Sequence, residues 1–241
     1  MSASSELRPR PLLPGGVPRF SRLLLAAVTA SLAVVVLTDL FAVFAGFRIH
    51  RLIDGKHGFV MASQQELDAA YSLYERAGNL QVITFVPCAV LFVTWFFGVR
   101  RNAGLLGPDR FRNGPGWAIG AWLIPLVNLW MPYRVAVDIW GASTQLPADG
   151  EPYRMPVWPV NLWWGLFVSS TLLSRYAGSR YDDADTLAEV RDAVVQYMVT
   201  DILDIAAAVA AVYFAVRLTS MQRLKAAEGP YRTAVPAPPA R

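Results

Sequence analysis

The sequence predicts an all-α, polytopic transmembrane helix bundle. It has four spans plus one broken segment that is re-entrant or interfacial, with five full spans as the alternative. Three observations carry this expectation. The 241 residues are 54% hydrophobic and 17% charged, where a soluble domain has about 25% charged residues. The charges gather in short stretches between long apolar runs, the layout of spans and loops in a membrane protein. The arginines concentrate in both tails and in one internal connection, which an even number of crossings puts on the inner side.

Residues Met1 to Arg22 are rich in Pro, Ser and Arg and read as a disordered, basic cytoplasmic tail. The apolar run that follows, Leu23–Phe47, has 25 residues. A cleavable signal segment has about 7–15, so this run is expected to remain as the first span. Arg48 to Asn79 form a charge-balanced loop in which Leu67, Tyr71, Leu73 and Tyr74 recur at helical spacing. Ser63 and Glu66 there have the form of a capping box, which predicts a helix rising into span 2. Span 2 is Leu80–Val99, and Pro87 should kink it. The connection Arg100 to Gly116 is the most basic in the chain, with Arg100, Arg101, Arg110 and Arg112 against Asp109.

The third apolar segment, Trp117 to Tyr133, has only 17 residues and holds Pro125, Asn128 and Pro132. A proline inside a helix removes a backbone hydrogen bond, and lipid supplies no replacement. Such a segment suits a hairpin better than a full crossing. Arg134 to Ser143 mixes Val135, Val137, Ile139 and Trp140 with Arg134 and Asp138 and reads as an amphipathic surface helix. A Pro/Gly-rich linker, Gln145 to Pro156, leads to Val157–Leu173, the next span. The acidic loop Ser174 to Asp192 follows, and the last span lies between Val194 and Leu218. Residues 219–241 read as a basic, Pro-rich tail.

Four spans place both tails and the Arg100–Arg112 loop inside and the acidic loop outside. Five place the basic C-terminal tail outside. The expected location is therefore the plasma membrane, multi-pass, with the N-terminus cytoplasmic. Residues 23–218 form one helical domain.

The broken segment also carries a family signal. The run Arg112-Asn113-Gly114, Gly116-Trp117-Ala118-Ile119-Gly120, Trp122, Pro125, Asn128-Leu129-Trp130, Pro132-Tyr133 and Trp140, with Trp163-Trp164 opening the next span, resembles a family of bacterial multi-pass membrane proteins. That family is catalogued as a domain of unknown function (DUF4328). The resemblance covers Leu23 to about Leu218. It implies a membrane location and supplies no catalytic residues.

Three carboxylates in apolar runs are the candidate site. A charge at the bilayer centre costs about 2.5–3.5 kcal/mol on insertion scales. Asp39 lies about 6 Å past the middle of span 1, and Asp204 and Asp201 lie about 3 and 7.5 Å before the middle of the last span. Asp201 and Asp204 share a helix face through their spacing. With four spans all three lie at similar depth, where they could hold a cation or relay protons. The plainer reading has them protonated, or bonded to polar groups between helices. Pro125-Leu-Val-Asn-Leu-Trp130 and Pro159-Val-Asn-Leu-Trp163 echo each other, as paired broken helices of transporters do. The plainer reading is that Asn128 and Asn161 cap or bridge Pro-broken helices. The eight tryptophans read as interfacial belts.

Cys88 is the only cysteine, which excludes an intrachain disulfide and a cysteine metal site. His50 and His57 are too few for a His-rich one. No phosphate-binding loop, zinc-protease, nucleophile-elbow or dinucleotide motif is present. The expectation is a non-enzymatic protein without cofactor or metal. Its expected partners are the lipid bilayer and a membrane protein or a second copy, and nucleic acid is not among them. The alternative is a small transporter or channel-like protein using Asp39, Asp201 and Asp204.

Overall fold

The computed structural model of the chain describes residues 20–54, 63–147 and 156–231. Six helices account for most of them: α1 (Phe20–Asp54), α2 (Gln64–Leu106), α3 (Trp117–Leu123), α4 (Met131–Ser143), α5 (Trp158–Asp182) and α6 (Leu187–Glu228). α1, α2 and α6 are long and apolar enough to cross a membrane. The expected basic tails fall largely outside the described residues, as do Lys56 and His57.

Local chemistry fixes where the long helices start. Ser63 caps α2 as its spacing predicts: its backbone N–H donates to Glu66 Oε2 at 3.0 Å, and its hydroxyl accepts from the Glu66 N–H at 3.3 Å. Thr186 and Glu189 repeat the device at the start of α6. Both helices run longer than their apolar stretches. α2 continues through Pro87 for 43 residues, and α6 has 42. Much of the expected first loop and of the acidic loop is therefore helical. α1 reaches Asp54, α5 reaches Asp182, and residues 183–186 alone connect α5 to α6.

Side-chain pairs give the helix directions. Thr38 meets Thr84 and Ser31 meets Cys88, so α1 and α2 are antiparallel. Gln81 meets Asp201 and Trp95 meets Thr219, so α2 and α6 are parallel. Trp158 stacks on Tyr213 and Tyr181 packs on Tyr197, so α5 and α6 are antiparallel. The start of α1, the ends of α2 and α6 and the start of α5 thus share one end of the bundle. α6 packs between α1 and α5, and its buried Ala207, Ala208, Ala210, Ala211 and Ala215 allow close approach on both sides.

The broken segment folds back on itself. α3 leads to a γ-turn at Pro125-Leu126-Val127, where Leu126 has φ 65° and the Val127 N–H donates to the Pro125 carbonyl at 2.8 Å. A single 3-10 turn, Val127–Leu129, then delivers the chain to α4. The tip satisfies its own backbone. The N–H groups of Asn128, Leu129, Trp130 and Arg134 reach the carbonyls of Ile124, Leu126, Val127 and Trp130. Pro132 sits in the first turn of α4, where its missing N–H leaves no bond unmade. Both ends of the hairpin lie at the same end of the bundle. Arg100 Nη2 donates to the Asn113 carbonyl at 2.8 Å, and Lys225 Nζ donates to the carbonyls of Ala142 and Thr144 at 2.9 and 3.0 Å.

Three expectations need correction here. Arg134–Ser143 does not lie along the surface: α4 buries Val135, Ala136, Ile139, Trp140 and Ala142 within the bundle. The reason is that the apolar residues are more numerous than one interfacial face requires, and they pack on α2, α5 and α6. The tryptophans do not form belts as a set. Trp95, Trp140, Trp163 and Trp164 are buried and Trp122 is half-buried, leaving Trp117, Trp130 and Trp158 exposed. They join Phe92, Phe96 and Phe214 in one aromatic core, with Trp163 stacked on Phe214 at 4.6 Å and 4°. Short α3 and α4 leave a wide gap between α2 and α5 that large rings fill. Finally, α6 runs ten residues past Leu218, and Thr219, Gln222 and Lys225 on it are buried. Gln222 Nε2 donates to the Val99 carbonyl at 2.9 Å and to Ser143 Oγ at 3.2 Å.

Candidate functional site

α1, α2 and α6 each bring one polar side chain to a common layer. Asp39 and Asp201 are buried, and Gln81 lies between them. One amide serves both acids: Gln81 Nε2 donates to Asp39 Oδ1 at 3.0 Å and to Asp201 Oδ1 at 2.8 Å. An amide nitrogen carries two hydrogens, so the two bonds use its donor capacity fully. Just inward of this, Thr38 Oγ1 and Thr84 Oγ1 lie 3.2 Å apart, extending the polar contact between α1 and α2. Oδ2 of Asp39 is buried and has no hydrogen-bond partner among the described residues.

Asp204 sits one turn further along α6, half-buried beside Ser170 of α5, whose hydroxyl donates to the Phe167 carbonyl at 3.1 Å. The three carboxylates of the sequence pattern are thus divided. Asp39 and Asp201 share the Gln81 donor, and Asp204 lies next along α6 toward Ser170 of α5. Among the described residues no group of three or more His, Cys, Asp or Glu side chains is arranged to hold a metal ion. No basic side chain pairs with Asp39, Asp201 or Asp204 among those residues. The layer is therefore built from neutral donors and carboxyl oxygens, and its hydrogen bonds join α1, α2 and α6.

The residues of the broken-helix motif take separate positions. Trp122 enters the aromatic core against Phe92, Phe96, Trp163, Trp164 and Phe167. Trp140 Nε1 donates to the Pro156 carbonyl at 3.1 Å and pins the start of α5. Pro125, Asn128 and Pro132 shape the hairpin tip. Trp117 stands exposed at the start of α3. Asn161 accepts from Tyr133 Oη at 2.9 Å, which bridges the hairpin to α5, the role the plainer reading gave this one of the two asparagines.

Sequence reasoning missed Gln81, although it is the second residue of an otherwise apolar run and so was visible there. It also missed a basic cavity of about 590 Å³ at the end of the bundle where α2 and α6 finish. Arg100, Arg110, Arg112 and Arg134 line it, with Asp138, Phe111 and Trp117. The cluster of arginines after span 2 was plain in the sequence. What the sequence lacked was the return of the hairpin, which brings Arg134 back beside them.

No curated protein and no solved structure matches the chain. The family described as Domain of unknown function (DUF4328) matches residues 60–220. That span takes in α2 to most of α6 and begins after α1, whereas the motif resemblance had reached back to Leu23. It contains the broken hairpin, the paired tryptophans of α5, and Gln81, Asp201 and Asp204 of the polar layer. Since the match covers more than half of its length, this chain belongs to the DUF4328 family.

Proposed function

We propose that the chain is a multi-pass protein of the plasma membrane with a cytoplasmic N-terminus, crossed four times by α1, α2, α5 and α6, with α3 and α4 entering and leaving by the inner face. We read it as a non-enzymatic bundle that works by contact with lipid and with a membrane partner or a second copy. Its length and apolar helices support the membrane reading, as do Val82, Ile83, Phe85, Val86 and Val90, which point outward along α2. α5 runs antiparallel beside α6 and supports a fourth crossing.

The observation that carries the non-enzymatic reading is the shared amide of Gln81. An intramembrane carboxylate is a functional candidate by default. Here two of them are tied to one neutral donor, which fits a fastening between helices better than an open path for ions. A second reading, proton or cation handling, draws on the unpartnered, buried Oδ2 of Asp39.

Purified protein in liposomes separates the two. For a fastening, wild-type protein under an imposed pH or Na⁺ gradient gives no flux above empty liposomes. Asp39→Asn and Asp201→Asn keep an acceptor for Gln81 and keep the melting temperature in detergent. Gln81→Leu loses about 1–2 kcal/mol of stability. Gradient-driven flux in the wild type that Asp39→Asn or Asp201→Asn abolishes would overturn the fastening and establish transport.

A further inference from the structure

The four guanidinium groups at the inner end of the bundle have too little negative charge among them. Arg100, Arg110, Arg112 and Arg134 line one cavity with a single carboxylate, Asp138. None of the four makes an ion pair among the described residues. Like charges held close repel unless a counter-charge joins them. The structure nevertheless holds one of the groups, Arg100, in place and packs a second, Arg110, against backbone. Arg100 is buried, its Nη2 donates to the Asn113 carbonyl at 2.8 Å, and its guanidinium lies 3.4 Å over the ring of Phe111. Arg110 fills the space beside Gly141, where an added Cβ would come within 2.5 Å of its Nη1. Guanidinium forks gathered around an electropositive space match the paired oxygens of a phosphate group.

The size and surroundings of the cavity narrow the ligand. Its 590 Å³ is in the range of small-molecule sites, about 300–1,000 Å³. That is more room than a bare inorganic phosphate needs, and it suits a phosphate carried on an organic group. Apolar side chains also line the cavity: Phe111, Trp117, Met131 and Val135 stand beside the arginines, and Trp117 is exposed. We propose that this cavity binds the phosphate group of an organic phosphate ester, with Arg110, Arg112 and Arg134 gripping its oxygens and Arg100 holding the back wall. The ester comes either from a phospholipid headgroup, its chains leaving past exposed Trp117, or from a soluble molecule. Only the lipid source rests on the membrane reading given above.

The test uses full-length protein in detergent and in nanodiscs. Binding is measured with phosphatidic acid or phosphatidylglycerol against phosphatidylcholine as carrier, and separately with glycerol 3-phosphate in solution. The variants are Arg110→Gln/Arg112→Gln and Arg110→Lys/Arg112→Lys. Arg101→Gln, exposed and outside the cavity, is the surface-charge control; it removes one positive charge where the double Gln variant removes two. We expect saturable binding that the double Gln variant weakens about tenfold or more, with the double Lys variant in between and the Arg101 control within about twofold of wild type. Saturation by the lipids alone identifies the headgroup source, and saturation by glycerol 3-phosphate identifies a soluble one. Absence of saturable binding to either would overturn the proposal. So would an Arg101→Gln effect as large as the double variant's, since that is diffuse attraction to a basic surface. Circular dichroism and melting of each variant show that the fold is kept. Protein that stays in solution without detergent yet still binds glycerol 3-phosphate would sink the membrane reading and leave the cavity standing.

Discussion

Replacing Lys225 by Met would leave the carbonyl oxygens of Ala142 and Thr144 facing a thioether in place of an ammonium group. These are among the last acceptors of α4, and nothing in a helix end supplies their donors. The expected result is a loss of about 1–3 kcal/mol, measured by thermal unfolding in detergent, with faster proteolysis between residues 144 and 157. Unchanged stability and cleavage would show that the ammonium group does not hold the hairpin. Lys225 also marks where single residues were legible and where they were not. Asp39, Asp201 and Asp204 announce themselves because a charge in an apolar run is conspicuous. Lys225 does not, because it follows the apolar run among Arg223 and a Pro-rich end, where a lysine looks solvated. The pairing of Asp39 with Asp201 needed Gln81 and the directions of three helices, which no spacing within one helix reveals. Hence of Asp201 and Asp204, neighbours by periodicity, it is Asp201 that shares Gln81 with Asp39.

The hairpin shows the same division at the level of the element. Two prolines in 17 residues predict a break, and the break occurs. The tip's conformation follows from Leu126, a branched residue at φ 65° and exposed. Backbone in that region costs about 1–3 kcal/mol for a residue with a Cβ. Leu126→Gly should therefore gain about 1 kcal/mol after glycine's own entropy is counted, and Leu126→Ala should not. Thermal unfolding of the two variants decides it, and a loss on going to Gly would mean that the Leu side chain contributes more than its backbone costs. The aromatic core was the least legible element. Tryptophan suits an interface and an interior alike, and only the gap left by two short helices selects the interior for Trp95, Trp140, Trp163 and Trp164. The long helices were legible from their apolar runs, but their ends were not. Composition turns polar where lipid would stop, and the helices continue regardless.

Taken as one object, the molecule has a polar end and a basic end. A helix of 43 residues is about 65 Å long, roughly twice the 30 Å of a hydrocarbon core. On the four-crossing reading, the first turns of α2 and α6 and the last of α1 and α5 stand clear of the lipid on the outer side. The prediction at this scale is topological. A reporter fused after Arg241 should be active on the inner side, and a tag inserted within residues 183–186 should be accessible from outside. An outer C-terminus would rule out the arrangement and separate Asp39 from Asp201 in the membrane. At this scale the sequence offers the arginines, whose clustering in short connections is the ground for the orientation proposed above. One practical result follows from α6 outrunning the family match, which stops at residue 220. An excised piece cut to those limits would lack Asp39 with all of α1, and it would lose Gln222 and Lys225. Such a fragment should come apart at both ends of its own bundle, so expression trials are better begun before Leu23 and carried past Glu228.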